Sequence, residues 1–201
     1  LEDSYMPAFL VGLGLARSLA AVNEIPLWQI SHQENHLEAG LWSAQGPYAD
    51  RFLLLHASGG TTDLLLAEKQ TDSTYALTQA GGSKDLHAGQ FVDRVGVALG
   101  LQFPAGAALE QLAATAADCI ELPVAVRQGD VSLSGPATAA LRKIEAGADP
   151  AALAAGVQYA LAETFVRMIR NVAAQKEIFD VLLVGGVVSV SYTHLRAHET
   201  C

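Results

Sequence analysis

The sequence predicts an α/β domain, on three observations. Apolar runs of strand length bounded by glycines occur at Arg51-Phe-Leu-Leu-Leu-His-Ala57, Asp63-Leu-Leu-Leu-Ala-Glu68 and Phe179-Asp-Val-Leu-Leu-Val-Gly-Gly-Val187. Long stretches between them, above all 150–175, carry a helical pattern. The two kinds of segment are interspersed along the chain rather than separated into halves. Composition supplies the means: of 201 residues, 51% are hydrophobic and 16% charged, enough apolar material for the core of one domain or of two small lobes. A disordered chain would be poor in such residues.

In chain order, a helix is expected over roughly 8–22 and a short strand at Pro26-Leu-Trp-Gln-Ile30. A second helix starts near Ser31, a residue suited to capping, and carries His32-Gln-Glu-Asn-His-Leu-Glu-Ala-Gly40. After a loop at Gly46-Pro47 come the strands at 51–57 and 63–68. Only Ser58-Gly-Gly-Thr-Thr62 joins them, so they form a hairpin. A third strand is expected around Tyr75-Ala-Leu-Thr78. The stretch 84–118 reads as helical, broken at Phe103-Pro-Ala-Gly106. Then follow a strand-like Val131-Ser-Leu-Ser134, helices over about 136–146 and 150–175, and a last strand near 180–184.

Several function classes are disfavoured. No apolar stretch approaches the ~18–20 residues of a membrane span. A formal net charge of −9 lacks the basic footprint of a stand-alone nucleic-acid binder. Cys119 and Cys201 make no disulfide framework, and without a signal peptide the expected compartment is a reducing cytoplasm. The chain opens without Met on what reads as a helix already running, so an upstream part is expected. Its last stretch, 190–201, has no apolar period and resembles translated adapter sequence. It is read as a non-native tail, and His194, His198 and Cys201 are discounted as a metal site.

Three places can carry chemistry. His32 and His36 are spaced i, i+4, which on a helix puts both imidazoles on one face, within reach of one metal ion. A third ligand is required and no sequence neighbour supplies it; two solvated histidines are an equal reading. In the second, Ser58, Gly59, Gly60, Thr61 and Thr62 offer backbone amides and hydroxyls that could cradle a phosphate, although a Gly-Gly turn also simply closes hairpins. In the third, Gly81-Gly-Ser-Lys-Asp-Leu-His-Ala-Gly-Gln-Phe-Val-Asp93 leads to the Phe103-Pro-Ala-Gly106 turn. Asp93 lies in a largely apolar helix and could accept hydrogen bonds from ribose, or pair with Arg94, or face water.

Taken together, HxxxH, SGGxT, the D-x-x-A-G-x-x-x-D helix, F-P-x-G, S-x-S-G and V-G-G-V, in that order from about Phe9 to Ser189, resemble the TsaD family. These are tRNA threonylcarbamoyladenosine synthases, formerly called glycoproteases, of the ASKHA fold (actin-like ATPase, sugar kinase, Hsp70). The resemblance implies one iron or zinc ion at His32 and His36. It implies an adenylate or ATP-type nucleotide, with phosphate at Ser58-Gly-Gly60, the nucleoside at Asp93 and Gly106, and a second glycine turn at Gly185 and Gly186. It further implies transfer of threonylcarbamoyl from its adenylate to the tRNA adenosine beside the anticodon, within a larger assembly containing TsaB-like and TsaE-like partners. The expected domain is 1–189, an incomplete ASKHA-type unit with the helical segment of about 84–175 inserted between strand regions.

The sequence departs from the family at three positions and lacks parts at both ends. Thr61 replaces a His, Leu86 and Gln90 replace acidic residues, and the first phosphate hairpin together with a later Asn and a metal-ligating Asp lies outside the chain. The chain by itself is therefore expected to be inactive. Two other classes remain: a non-catalytic paralogue acting as nucleotide-binding scaffold or regulatory subunit, and an ASKHA carbamoyltransferase or kinase acting on a small molecule.

Overall fold

The computed structural model describes residues 7–47 and 49–188. The 190–201 stretch, with His194, His198 and Cys201, lies outside them. The chain falls into two compact units, Leu1–His32 and Gln33–Cys201. The first contains helix α1 (Pro7–Val22), closed by a bond from Asn23 N–H to the Leu19 carbonyl. Residues 25–31, expected to include a strand, are irregular. Leu27, Trp28 and Ile30 are exposed there, and a strand without a partner has no ladder to join.

The second unit is built on a six-stranded sheet. Its strands are β1 (Arg51–Ala57), β2 (Thr62–Lys69), β3 (Tyr75–Ser83), β4 (Ala125–Arg127), β5 (Asp130–Ser132) and β6 (Val181–Val184), in the order β4-β5-β3-β2-β1-β6. The β1–β2 hairpin is antiparallel, with Leu53 opposite Leu66 and His56 opposite Asp63. β6 pairs in parallel with β1, Leu55 beside Leu183. β3 is longer than its apolar residues suggest, running on through Gly81 and Gly82 to meet β5 in parallel.

Side chains alternate across a strand, so β1 splits its run between two cores. Leu53, Leu55 and Ala57 join the larger cluster under helices α3 (Ala88–Ala98), α4 (Gly106–Ala113), α5 (Ser134–Glu145) and α6 (Pro150–Lys176). Phe52 and Leu54 join a smaller cluster with Leu37 of helix α2 (His32–Ala44), Leu65, Leu182 and Val184. His56 is on this second, α2-facing side. Long α6 begins at Asp149, whose carboxylate accepts from Ala152 N–H at 2.7 Å ahead of Pro150, and ends at Glu177 in the left-handed conformation. The stretch 84–175 is helical except for loops and the β4–β5 hairpin. No helix among the described residues is long and apolar enough to cross a membrane.

Candidate functional site

β1 organises the site. His56 is its penultimate residue, fully buried, and the Ser58 loop opens two residues later. Across the second core lies α2, whose helical spacing puts His32 and His36 on one face. The His36 and His56 rings lie 4.1 Å apart, tilted by 39°. One nitrogen each from His32, His36 and His56 forms a group within 4.8 Å of one another. Asp63, opposite His56 in the ladder, accepts from Gln33 Nε2 at 3.2 Å, so a carboxylate is fixed beside the cluster from the same helix. The sequence motif thus acquires a third donor that spacing alone did not reveal.

The donor set suits a metal. Three imidazoles favour zinc, iron or cobalt over magnesium or calcium, which prefer oxygen. With metal–nitrogen bonds of ~2.1 Å, tetrahedral ligand nitrogens stand roughly 3.4 Å apart.

The glycine loop is a tight, braced turn. Ser58 N–H donates to the Thr61 carbonyl at 2.8 Å. Buried Thr62 turns its hydroxyl to the Thr61 carbonyl at 2.9 Å and accepts from Ala88 N–H at 2.8 Å. Gly89 N–H donates to the Ser58 carbonyl at 3.0 Å. The first amides of α3 are therefore committed to holding the loop. Gly59 and Gly60 are exposed, and a Cβ on either would meet open space, so a ligand can approach their backbone closely. Gly89 has no such room: a Cβ there would lie 2.5 Å from Gly59 Cα.

The second glycine turn is its neighbour. Gly185 has φ +103°, and a Cβ there would collide with the Ala57 carbonyl, which also accepts from Val187 N–H at 3.1 Å. Since Ala57 precedes Ser58, both glycine turns sit at the carboxyl ends of the parallel pair β1 and β6. That is where open α/β sheets form their ligand crevices.

Asp93 lies one helical turn beyond Gly89 on α3, so both share a face. Its Oδ1 accepts from Ala105 N–H at 2.7 Å and ties down the turn that starts α4 at Gly106. Neither a pairing with Arg94 nor an idle solvent-facing carboxylate describes it.

Sequence reasoning missed Asp85. Its carboxylate accepts from Ser132 Oγ at 2.6 Å, Leu133 N–H at 2.9 Å, Leu86 N–H at 2.6 Å and Ser134 N–H at 3.2 Å. It stitches the approach to α3 to the Ser-Leu-Ser-Gly segment that starts α5. Desolvation pushes its pKa upward, but these four hydrogen bonds outweigh that and hold it well below the usual carboxylate range. The departures at positions 86 and 90 have structural roles. Leu86 is buried in the larger core, and Gln90 Oε1 accepts from His87 N–H at 3.1 Å at the start of α3, as a glutamate could.

Comparison with known proteins gives the family and the fold. A tRNA N6-adenosine threonylcarbamoyltransferase of Methanopyrus kandleri is 35% identical over 195 residues, covering 96% of this chain and 55% of that protein. One from Thermus thermophilus is 36% identical over 185 residues, covering 90% of this chain and 55% of its own length. A probable bifunctional tRNA threonylcarbamoyladenosine biosynthesis protein of Methanothermobacter thermautotrophicus is 34% identical, covering 90% of this chain and 32% of its own length. The chain spans about half the length of the first two. Full-length HypF, in its phosphate- and nucleotide-bound form, superposes with a TM-score of 0.70 over 87% of this chain and 38% of its own, at 12% identity, a likeness of fold. The ASKHA-type α/β expectation is met. Matched by the family's model over residues 5–201, the chain belongs to the TsaD family, the tRNA N6-adenosine threonylcarbamoyltransferases.

Proposed function

We propose that the protein containing this chain transfers a threonylcarbamoyl group from its adenylate to the tRNA adenosine beside the anticodon. Besides family membership, one observation carries this reading: β1 contributes His56 to the imidazole cluster and runs straight into the glycine loop, with His56 and Ser58 two residues apart. An acyl adenylate has a carbonyl next to a phosphate, and this spacing offers a metal-binding group next to a phosphate cradle.

His32, His36 and His56 would hold one iron or zinc ion, which supplies Lewis-acid polarisation of a carbonyl oxygen. The chain's own residues do the rest by positioning. Gly59 and Gly60 present amides to the phosphate, with Ser58 and Thr61 at the rim and Thr62 locking the turn from beneath. Gly185 and Gly186 border the same crevice. Asp93 holds the Gly106 turn through Oδ1, leaving Oδ2 as the oxygen a ribose hydroxyl would address. With a net charge of −9 the chain offers little basic surface for tRNA, which TsaB-like and TsaE-like partners in a cytoplasmic assembly would supply.

The test is formation of threonylcarbamoyladenosine on tRNA, read by nucleoside mass spectrometry. The full-length protein with its partners is expected to form it, and the 201-residue chain alone is expected not to. A full-length protein that binds the adenylate yet modifies no tRNA would overturn the assignment and favour the scaffold reading.

A further inference from the structure

We propose that Asp85 is a positioning residue of the crevice: without touching a ligand, it fixes the glycine loop relative to the start of α5. This role deepens the function above and rests on it for the identity of the ligand. The strands set the frame. β2 is antiparallel to both β1 and β3, β6 runs with β1, and β5 runs with β3, so β1, β3, β5 and β6 all point the same way. The Ser58 loop, the approach to α3, the Ser132–Ser134 segment and the Gly185 turn therefore leave one edge of the sheet. Three of these border the crevice described above. The Ser132–Ser134 segment is the fourth, and Asp85 is what holds it.

The bonds form one continuous path. Backbone pairing between β3 and β5 ends where Lys84 N–H donates to the Val131 carbonyl at 3.0 Å. One residue on, Asp85 continues the join with its side chain: Oδ1 accepts from Leu86 N–H and Leu133 N–H, and Oδ2 from Ser132 Oγ and Ser134 N–H. Leu133 is the N-cap of α5 and has no side-chain oxygen to cap with, so a carboxylate from another part of the chain does so. Ser83 Oγ fastens the same turn by donating to the Leu86 carbonyl at 2.7 Å. Ala88 N–H and Gly89 N–H then grip Thr62 Oγ1 and the Ser58 carbonyl. Every link from α5 to the glycine loop is a hydrogen bond or a short run of backbone. Hydrogen bonds fix distance and angle, whereas apolar packing is non-directional. The Asp85 side chain is exposed and adds nothing to the core, so placement is what its four bonds achieve.

The experiment compares Asp85→Ala and Asp85→Asn with Met168→Ala, a control that opens a cavity in the larger core and touches none of these bonds. In the 201-residue chain, amide hydrogen exchange is followed residue by residue, where circular dichroism shows all three variants folded. Asp85→Ala is expected to speed exchange of the Ser58 and Gly89 amides at least ~10-fold beyond the control. Asp85→Asn, which keeps one acceptor oxygen, should fall in between. In the full-length protein, affinity for a non-hydrolysable adenylate analogue is expected to drop at least ~10-fold in Asp85→Ala and to stay near the parent's in Met168→Ala. Ser58 and Gly89 amides that exchange as in the control overturn the proposal, because Asp85 would then hold α5 alone. Faster exchange with unchanged affinity for the analogue also overturns it, since the placement of the loop would not matter to the ligand. Should Asp85→Ala unfold, Asp85→Asn carries the same comparison. A full-length parent that binds no analogue refutes the proposed function, and the exchange rates still decide whether Asp85 positions the loop.

Discussion

Replacing Asp85 by Ala removes the acceptor for four donors at once. Two of the orphaned amides, those of Leu86 and Leu133, belong to residues 8% and 1% exposed, where water reaches poorly. An unsatisfied buried amide costs about 1–3 kcal/mol, but the Asp85 side chain is itself largely exposed, and water would enter the space it leaves. Discounting for that, the expected loss at pH 7 is about 2 kcal/mol. With a urea dependence of about 2 kcal/mol per molar, the unfolding midpoint should fall by about 1 M. Acid gives the signature. The folded-state pKa of Asp85 lies below its unfolded value of ~3.9, so its stabilisation is complete above that value and lost as pH falls through and below it. The gap between the parent and Asp85→Ala should therefore narrow steadily below about pH 4. An unchanged midpoint at pH 7, or a gap that stays constant on acidification, would refute the clamp.

Two further perturbations probe the glycine loop. Gly89→Ala sets a methyl against Gly59 backbone, with nothing flexible to yield, so the turn must shift; the expected cost is about 1–3 kcal/mol, together with weaker binding of a non-hydrolysable adenylate analogue by calorimetry. Thr62→Val keeps shape but strands the Ala88 amide, costing about 1–3 kcal/mol in thermal or urea unfolding, and Thr62→Ser, which keeps the hydroxyl, should lose much less; a parent-like Thr62→Val beside a destabilised Thr62→Ser would mean that the methyl group, not the hydroxyl, matters.

Legibility from sequence followed how local each cause is. The β1–β2 hairpin and α6 were readable because their signals are contiguous: leucine runs bounded by glycines, and Asp149-Pro150 at a helix start. β4 was missed because Ala125-Val-Arg127 is three residues long and held by pairing with β5, with no apolar pattern of its own. Pro26–Ile30 misled in the opposite direction, for its composition is strand-like but a strand exists only with a partner. The site divides in the same way. HxxxH and SGGTT are local and were found, whereas Asp85 acts across 47–49 residues to Ser132, Leu133 and Ser134. His56 is also signalled locally. In Arg51-Phe-Leu-Leu-Leu-His-Ala57 the only imidazole falls on the Phe52–Leu54 side by simple alternation, and a polar ring in such a run calls for a partner.

That alternation also shows how, under the proposed function, one strand would serve both halves of an adenylate. Consecutive residues of β1 point to opposite faces, so His56 reaches the α2 side while Ala57 stays in the larger core and supplies the carbonyl that anchors Val187. Ser58 then leaves the sheet into the loop. At about 3.3 Å per residue, the Cα atoms of positions 56 and 58 stand roughly 6.6 Å apart, a separation set by backbone and not by side-chain rotamers. β2 and β6 pair with β1 on either side and prevent it from sliding. Catalysis by positioning requires such a fixed distance between the group that grips the carbonyl and the group that grips the phosphate. A loop could hold each group separately, but only a paired strand holds both in constant register. Under the proposed function the precision of the site would lie in the ladder of β1, and the hairpin would belong to the chemistry as well as to the core.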